Sequence, residues 1–221
     1  TNLQALYIQS NGLSTLEGLQ DCRQLNYLNA SANPLRSLKG LPSHLSTLHL
    51  ASVGLADAAE VAVLAAACQA LQVLDLSHNK LPVDVVPAVC NLQSLRVLYL
   101  KDNPCVWAPN YRRRLVAGLR QLSYLDDGPV DECERRGSEA WAVGGAAAEQ
   151  AARTAFRDER RLALKRTTTT FAVERAQRHV LRKLAGILGS DLQLAALLQA
   201  LEGPAALHPG GAAEMARRLL G

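Results

Sequence analysis

The sequence predicts an α/β fold: a curved solenoid with parallel strands on its concave face, followed by a C-terminal helical cap and a helical tail. Three observations support this prediction. A leucine pattern recurs every 20 to 27 residues through the first 125 residues of the 221-residue chain. Leucines at helical spacing follow that pattern, and the remaining sequence is rich in Ala and charged residues. The predicted segments are 1–130 for the repeats with their cap, 131–166 for a charged helical extension, and 167–221 for a small amphipathic helical tail.

Each copy of the repeat follows the pattern Leu-x-x-Leu-x-Leu-x-x-Asn-x-Leu, which predicts a short strand and a turn back across the convex side. The leucines point into one core, and the Asn side chain bonds turn backbone that the strands leave unpaired. The third copy carries Val53 in place of Asn, and the fifth departs from the pattern at Pro104. The pattern resembles that of leucine-rich repeat proteins. The six strands are predicted to begin near Leu3, Leu25, Leu45, Leu71, Leu95 and Leu122.

The convex segments between the strands differ in predicted type. Ser14–Leu19 is short and predicts a 3₁₀ turn or irregular chain. Asp57–Ala70 is rich in Ala and places apolar residues at helical spacing, which predicts an α-helix. Pro82–Asn91 contains an internal proline, so only a shorter helical turn is expected there.

The concave face of the predicted solenoid collects four of the five tyrosines. Side chains alternate along a strand, so the residues between the inward leucines face the concave surface. Tyr combines a large contact area with a polar tip, which favours a protein-binding surface. The alternative is that tyrosines simply suit exposed strands. The residues predicted to form this surface are Tyr7, Tyr27, Asn29, His49, Asp75, Tyr99, Lys101, Tyr124 and Asp126.

The sequence carries no motif for catalysis or for a cofactor. His49 and Asp75, with His78, raise the alternatives of metal binding or acid–base chemistry, but a third ligand at metal-site spacing is lacking. The prediction is a solvated His49–Asp75 pair. The two Gly-Gly pairs lack the flanking strand and Lys of a phosphate-binding loop, and no Gly-x-Ser-x-Gly elbow occurs. No enzyme activity, cofactor or metal is therefore predicted.

The segment after the repeats carries the most specific motif. Leu115, Leu119 and Leu122 recur at helical to near-helical spacing, which predicts a helix that covers the last repeat and shields its core. The surrounding sequence is NYRRRLVAGLRQLSYLDDGPV. It resembles the cap of the short leucine-rich repeats found in the regulatory subunit of protein phosphatase 1 and in the spliceosomal A-prime protein.

Together with the downstream EAWAVGG, this segment resembles the dynein axonemal assembly factor 1 family, whose repeats are of the short, 22-residue ciliary type. Gly128 stands where that family usually has Arg. The residues that match the family motif are Tyr111, Arg112, Arg113, Tyr124, Asp126, Asp127, Pro129, Glu139, Trp141, Gly144 and Gly145.

The resemblance implies a cytoplasmic helper that assembles dynein arms before their delivery to cilia or flagella and has no catalytic motif. Its implied partners are dynein chains, axonemal subunits or assembly chaperones. One alternative keeps the fold but makes the protein a resident structural subunit of the axoneme, bound to dynein, tubulin or a spoke complex. A further alternative is a ribonucleoprotein or phosphatase-regulatory adaptor.

Charge and cysteine content exclude several other classes of partner. The net charge is +4, from 24 basic and 20 acidic residues, which is too mild to predict direct nucleic-acid contact. No apolar run reaches the roughly 18 residues of a membrane span, and no membrane contact is expected. Five spread cysteines without a CxxC pair fit a reducing compartment and no zinc site. Because the chain begins at Thr1, we expect that a native N-terminal segment, with or without a targeting signal, precedes it.

The tail is predicted to be helical. Ala147–Arg166 lacks Gly and Pro and alternates in charge, which predicts a long exposed helix. The β-branched run Thr167–Thr170 should interrupt that helix. Three short amphipathic helices are expected beyond it, in 171–188, 190–201 and 212–220, and they could pack on one another, on the repeats or on a partner. The run Arg112–Arg114 in the cap predicts a solvated helix face, with weak binding of phosphate or acidic partners as the alternative.

Overall fold

Six short strands stack in parallel, one from each repeat, and a seventh turns back against the sixth. The structure, a computed structural model, describes residues 2–188, without the side chains of 174, 177, 180–182 and 184–188. The register aligns the middle leucine of each strand with those of its neighbours, which confirms the predicted α/β solenoid. The strands, in sheet order, are β1 (Ala5–Tyr7), β2 (Tyr27–Asn29), β3 (Thr47–His49), β4 (Val73–Asp75), β5 (Val97–Tyr99), β6 (Tyr124–Leu125) and β7 (Gly128–Pro129).

The convex segments take the forms that the sequence predicts. The helix expected within 57–70 begins after Asp57, whose carboxylate accepts a 2.8 Å bond from the first helical turn. The proline-containing segment makes a single short helix, and another helix covers the last repeat. A fourth, much longer helix follows the sheet. The helices are α1 (Ala58–Ala67), α2 (Val85–Val89), α3 (Tyr111–Gly118) and α4 (Glu132–Leu188), with 3₁₀ turns at Leu19–Asp21 and Pro104–Trp107.

Leucine fills most of the core between the strands and the convex segments. The three pattern leucines of the fourth repeat, Leu71, Leu74 and Leu76, are completely buried. Burial also raises the pKa of the Cys68 and Cys105 thiols to about 11. These two side chains are therefore protonated at neutral pH and pack as small apolar groups, and no cysteine of residues 2–188 forms a disulfide.

Three buried asparagines, Asn33, Asn79 and Asn103, join successive repeats through both ends of the side-chain amide. Asn79 Oδ1 accepts bonds of 3.1 Å from two backbone N–H groups of the preceding repeat. Its Nδ2 donates to the carbonyl of Leu50 in that repeat, at 2.9 Å, and to the carbonyl of Leu76 in its own, at 2.8 Å. Asn33 makes the equivalent bonds, and Asn103 does so with one backbone N–H, that of Leu81, donating to its Oδ1. The turn backbone is thus satisfied inside the core, as the repeat pattern predicts.

The residue before each of these turns adopts a left-handed backbone conformation. This conformation recurs in five successive repeats with φ between 55° and 58°, and it directs the chain from the strand toward the convex side. The sequence shows no glycine at these positions, so the recurrence was not predicted. The residues are Ser10, Ala32, Ser52, His78 and Asp102.

Helix α4 departs from the predicted tail in two ways. It is broken at Gly145, whose backbone angles are φ 69° and ψ −159°, so the chain reverses there. It continues through Thr167–Thr170, and the predicted interruption is wrong. The threonine hydroxyls donate to carbonyls four residues earlier, at 2.8–3.1 Å, and so do not compete with the helical backbone. The expected long helix over Ala147–Arg166 is confirmed.

The chain divides after Arg157 into two units, and the repeats and cap lie in the first. The helices expected at 190–201 and 212–220 lie outside the described residues, as do the side chains of the apolar stripe from Val180 to Leu188. The segment boundaries at 130 and 166 stay predictions. Within residues 2–188, no helix is both long and apolar enough to cross a bilayer.

We predict that Asn79→Leu lowers the free energy of unfolding by at least about 3 kcal/mol, because it leaves several buried backbone groups without partners, at roughly 1–3 kcal/mol each. Urea unfolding followed by circular dichroism measures the change. Asn11→Ala is the matched control, since its exposed side chain donates only locally, to the carbonyl of Gln9. We expect a change within about 0.5 kcal/mol there. Equal effects of the two substitutions would contradict the role of the buried amide.

Candidate protein-binding surface

The parallel register builds two rows of side chains on the concave face. The central row contains the last residue of strands β1 to β5, and the adjacent row contains the first residue of strands β1 to β6. Parallel strands keep equivalent positions side by side, so each row is continuous across the repeats. The central row is Tyr7, Asn29, His49, Asp75 and Tyr99; the adjacent row is Ala5, Tyr27, Thr47, Val73, Val97 and Tyr124.

Aromatic side chains form two groups on these rows. In the N-terminal aromatic group, the ring centroids of Tyr7 and Tyr27 lie 4.9 Å apart, and those of Tyr27 and His49 lie 5.6 Å apart. In the C-terminal aromatic pair, Tyr99 and Tyr124 have centroids 6.0 Å apart. Tilted contacts at these distances are favourable and hold the rings in place. The tyrosines predicted to lie on one face therefore come together as two aromatic groups.

Asp75, predicted to pair with His49, lies between the two aromatic groups in the central row. His49 Nδ1 is 3.5 Å from Asp75 Oδ2, and the side chains are only 25% and 21% exposed, so the pair is less solvated than predicted. The other carboxylate oxygen accepts bonds from the backbone N–H and hydroxyl of Ser77, at 2.9 and 2.6 Å. Burial raises the pKa of Asp75, but the bonds from His49 and Ser77 outweigh burial, and the pKa is lowered overall. Asp75 is therefore a carboxylate at neutral pH.

Paired polar side chains line the rim at the carboxyl ends of β4 to β6. Lys101 Nζ lies 3.1 Å from Asp127, and this hydrogen bond raises the pKa of Lys101. His78 Nδ1 lies 3.1 Å from Asp102, in an exposed pair that the site prediction did not include. In the sequence, His78 and Asp102 each stand directly before the pattern asparagine of their own repeat. The repeat pattern therefore puts them at equivalent positions of neighbouring repeats. At the end of β2, Asn29 Oδ1 accepts a 3.1 Å hydrogen bond from the backbone N–H of Ser31, which orients the Asn29 side chain.

Asp126, predicted to lie on the concave face, is instead part of the cap. Strand β6 ends at Leu125, and Asp126 has a left-handed backbone (φ 51°), so strand alternation no longer applies. Its half-buried carboxylate accepts a 2.6 Å bond from the backbone N–H of Leu100 and a 2.9 Å bond from the Tyr111 hydroxyl. The pKa of Tyr111 is raised far above its usual value, mainly by burial and next by the negative charge of the Asp126 carboxylate. Tyr111 therefore stays a neutral hydrogen-bond donor.

Arg112 connects the three parts of the cap, which are α3, the β6–β7 hairpin and the first turn of α4. Its guanidinium bonds both carboxylate oxygens of Glu134 in α4, at 2.6 and 2.9 Å. It also donates to the carbonyl of Leu125, at 3.0 Å, and to that of Pro129, at 2.8 Å. The hydrogen bond to Glu134 raises the pKa of Arg112. The solvated face predicted for this side chain is wrong, because residues 22 positions away in sequence fold back onto it.

Arg113 is also committed to internal contacts. It lies 3.2 Å from Glu149, whose side chain is 8% exposed, and Arg153 lies 3.0 Å from the same carboxylate. Two arginines thus compensate one buried charge. From α4, Arg135 donates to the backbone carbonyl of Val116 in the last turn of α3 and to those of Leu119 and Leu122, which follow that helix.

The Gly-Gly motif makes the turn of a helical hairpin. Gly145 supplies the left-handed turn, and the chain then returns so that a Cβ at Gly137 would lie 2.9 Å from Arg153 Nε. Across the hairpin, Arg136 stacks over the Phe156 ring at 5.0 Å from its centroid. Trp141 is half-buried, whereas Glu139 and Gly144 are exposed. By contrast, a Cβ at Gly128 would meet nothing within 4 Å, so a larger residue, such as the Arg that the family usually has, is not blocked at this Cβ position.

These placements divide the predicted residues by role. Four of the eleven family-motif residues, Tyr111, Arg112, Arg113 and Asp126, hold the cap together through side-chain hydrogen bonds and ion pairs. The aromatic rows share only Tyr124 with the motif and present tyrosine faces, of which Tyr7 is 62% exposed. Among residues 2–188, no group of three or more His, Cys, Asp or Glu is arranged to hold a metal ion.

Comparison with known proteins confirms the resemblance that the sequence indicated. A family model described as Leucine Rich Repeat matches residues 70–92. Leucine-rich repeat-containing protein ODA7 of Chlamydomonas reinhardtii is 44% identical over 96 residues, covering 42% of this chain and 22% of the relative. Dynein axonemal assembly factor 1 of Homo sapiens is 45% identical over 96 residues, covering 42% of this chain and 13% of the relative. The matched parts are thus less than a quarter of the length of these relatives.

Among solved structures, the protein in the Drosophila melanogaster SNF/U2A′ complex superposes with a TM-score of 0.53 at 23% identity. The match covers 64% of this chain and 83% of the other. It supports the repeat fold.

We predict that Tyr111→Phe lowers the free energy of unfolding by about 1.5–3 kcal/mol, because a buried hydrogen bond to a carboxylate is lost. Urea denaturation measures the effect. Tyr124→Phe, which keeps the ring contact with Tyr99, serves as the control and should change stability by less than about 0.5 kcal/mol. If Tyr111→Phe matches its control, the bond to Asp126 does not stabilise the cap.

Gly145→Ala is expected to cost about 1–3 kcal/mol, because a side chain is strained at this left-handed, extended backbone geometry. The thermal unfolding midpoint should fall accordingly. Gly128→Ala has open space and an ordinary φ, so its midpoint should be unchanged. A Gly145→Ala protein as stable as the wild type would show that the hairpin turn is not built on this geometry.

Proposed function

We propose that this protein is a non-enzymatic interaction scaffold that assists the assembly of axonemal dynein arms. The observation that carries the proposal is the 44–45% identity, over 96 residues, to proteins named leucine-rich repeat-containing protein ODA7 and dynein axonemal assembly factor 1. Identity at that level makes a shared fold for the matched segment secure, and a shared role in assembly is the simplest extension of it. The partners we propose are dynein chains, axonemal subunits or assembly chaperones.

The concave face supports a role in protein binding. Tyrosine is enriched at interface hot spots because it buries a large area while losing little conformational entropy. Here the rings are already packed against one another, so binding would order few additional side chains. Asp75 lies between the two aromatic groups as a partly buried acceptor that can select a donor on the partner.

Side-chain geometry supports a scaffold rather than a hydrolase. His49, Asp75 and Ser77 are neighbours, but the Ser77 hydroxyl donates to Asp75 rather than to His49. Nucleophilic catalysis requires a bond from the serine hydroxyl to the histidine, which then accepts the proton. The arrangement orients the carboxylate and leaves the serine without activation.

We expect the protein to capture dynein chains from the cytoplasm of ciliated cells. Replacing one tyrosine from each aromatic group, as Tyr27→Ala with Tyr99→Ala, should reduce recovery at least about tenfold, since hot-spot aromatics typically contribute 2 kcal/mol or more. Quantitative mass spectrometry of the captured proteins measures recovery.

The control for this experiment is Trp107→Ala. Trp107 is 87% exposed but lies in a 3₁₀ turn outside the strands. Equal recovery by wild type and Trp107→Ala, with loss in the double variant, supports the concave surface. Loss of recovery in the Trp107→Ala protein alone would place binding elsewhere.

Cell fractionation tests the role itself. An assembly factor should be found in cytoplasm and be absent from demembranated, salt-washed axonemes. Retention in washed axonemes, quantified by blotting both fractions, would contradict assembly and indicate a resident structural subunit.

A further inference from the structure

Four consecutive threonines form an exposed patch on α4, in the second unit of the chain. All four side chains are exposed, and each hydroxyl donates to the carbonyl four residues earlier in the same helix. For Thr169, the acceptor is the carbonyl of Lys165, at 2.8 Å. The patch consists of Thr167, Thr168, Thr169 and Thr170.

The patch is a weak point of the helix. Threonine is among the poorer helix formers because its branched Cβ restricts χ1 against the preceding turn. Four in succession make this stretch easier to open than the Ala-rich turns that follow Gly145. An exposed helix that opens easily can present its backbone in an extended form to an enzyme.

Basic residues lie immediately before the patch. Lys165 and Arg166 occupy the fourth and third positions before Thr169, and Arg160 and Arg161 lie one to two turns earlier. Kinases select substrates partly by charge, using carboxylates around the active site to bind cations that flank the acceptor. We propose that Thr169 is a phosphate acceptor for a Ser/Thr protein kinase that selects basic residues three and four positions before its target.

The transfer requires Mg²⁺–ATP as co-substrate. Thr169 Oγ1 attacks the γ-phosphorus, its proton passes to the catalytic aspartate of the kinase, and the bond to the β–γ bridging oxygen breaks to release ADP. The product keeps no hydroxyl hydrogen to donate to the Lys165 carbonyl. Its new negative charge lies one turn from the Lys165 ammonium, where an i, i+4 ion pair can form.

The chain contains a matched internal control for this proposal. Thr154 is exposed, lies on the same helix, and donates its hydroxyl to the carbonyl of Gln150 at 2.9 Å. The residues three and four positions before it are Ala151 and Gln150, which carry no charge. It matches Thr169 in exposure and hydrogen bonding and differs in the two features that the proposal invokes, the flanking charge and the weakness of the surrounding helix. The Lys165→Gln/Arg166→Gln variant separates these two features.

The experiment incubates the full chain with Mg²⁺–ATP and a Ser/Thr kinase that requires arginine three positions before its acceptor. Phosphate is located by mass spectrometry. We expect phosphate on Thr169 and none on Thr154. The Lys165→Gln/Arg166→Gln variant should slow incorporation at least about tenfold, the factor that 1.4 kcal/mol of lost charge–charge binding produces.

Several results would overturn the proposal. They are equal labelling of Thr154 and Thr169, an unchanged rate in the double-glutamine variant, or an unlabelled patch while a standard peptide substrate is phosphorylated. Thr169→Val keeps the branched shape without the hydroxyl, and it must remove most of the phosphate. Circular dichroism of both variants verifies that their helix content matches that of the wild type.

Discussion

The hydrogen bonds of the buried asparagines are the constraint on which the rest of the structure depends. Each repeat must turn from strand to convex segment inside the core, where water cannot satisfy the backbone. Asn33, Asn79 and Asn103 supply both a donor and an acceptor at that point and join three of the turns to the preceding one, whereas the third repeat carries Val53 there. This bonding holds those repeats together in the stack, and the strand register of the stack decides which side chains become neighbours on the concave face.

The cap covers the end of the hydrophobic core that the last repeat leaves open. The last core layer would face water, and α3 covers it with Leu115 and Val116, both fully buried. Leucine packing alone does not fix the angle of this helix, whereas Arg112 and Arg135 tie it to the β6–β7 hairpin and to α4 through groups with defined directions. The cap thereby completes the solenoid while leaving the aromatic rows uncovered by these contacts.

The sequence predicted the parts of the fold that depend on local periodicity. Leucine spacing located the strands, and the Ala-rich segment located α1, because those patterns follow directly from the geometry of each element. The hydrogen-bond and ion-pair partners of Arg112, Arg113 and Asp126 could not be predicted in this way. Their partners lie 13 to 36 residues away, and position along a helix or strand does not encode them. The predicted helix break at Thr167–Thr170 was wrong because the threonine hydroxyls donate to carbonyls of the same helix instead of competing with its backbone bonds.

The separation of cap and concave face bears on what the family motif can specify. Tyr111, Arg112 and Arg113 contact Asp126, Glu134 and Glu149, respectively. The stability of the cap therefore explains why these three residue types occur there. Under the proposed function, partner choice depends on surfaces that these three residues do not form. The aromatic rows are such a surface, since only Tyr124 among their residues belongs to the motif, and the others alternate with the core leucines and can vary without disturbing the cap. A repeat protein built in this way can keep one scaffold and change its partner by substitutions in the rows alone.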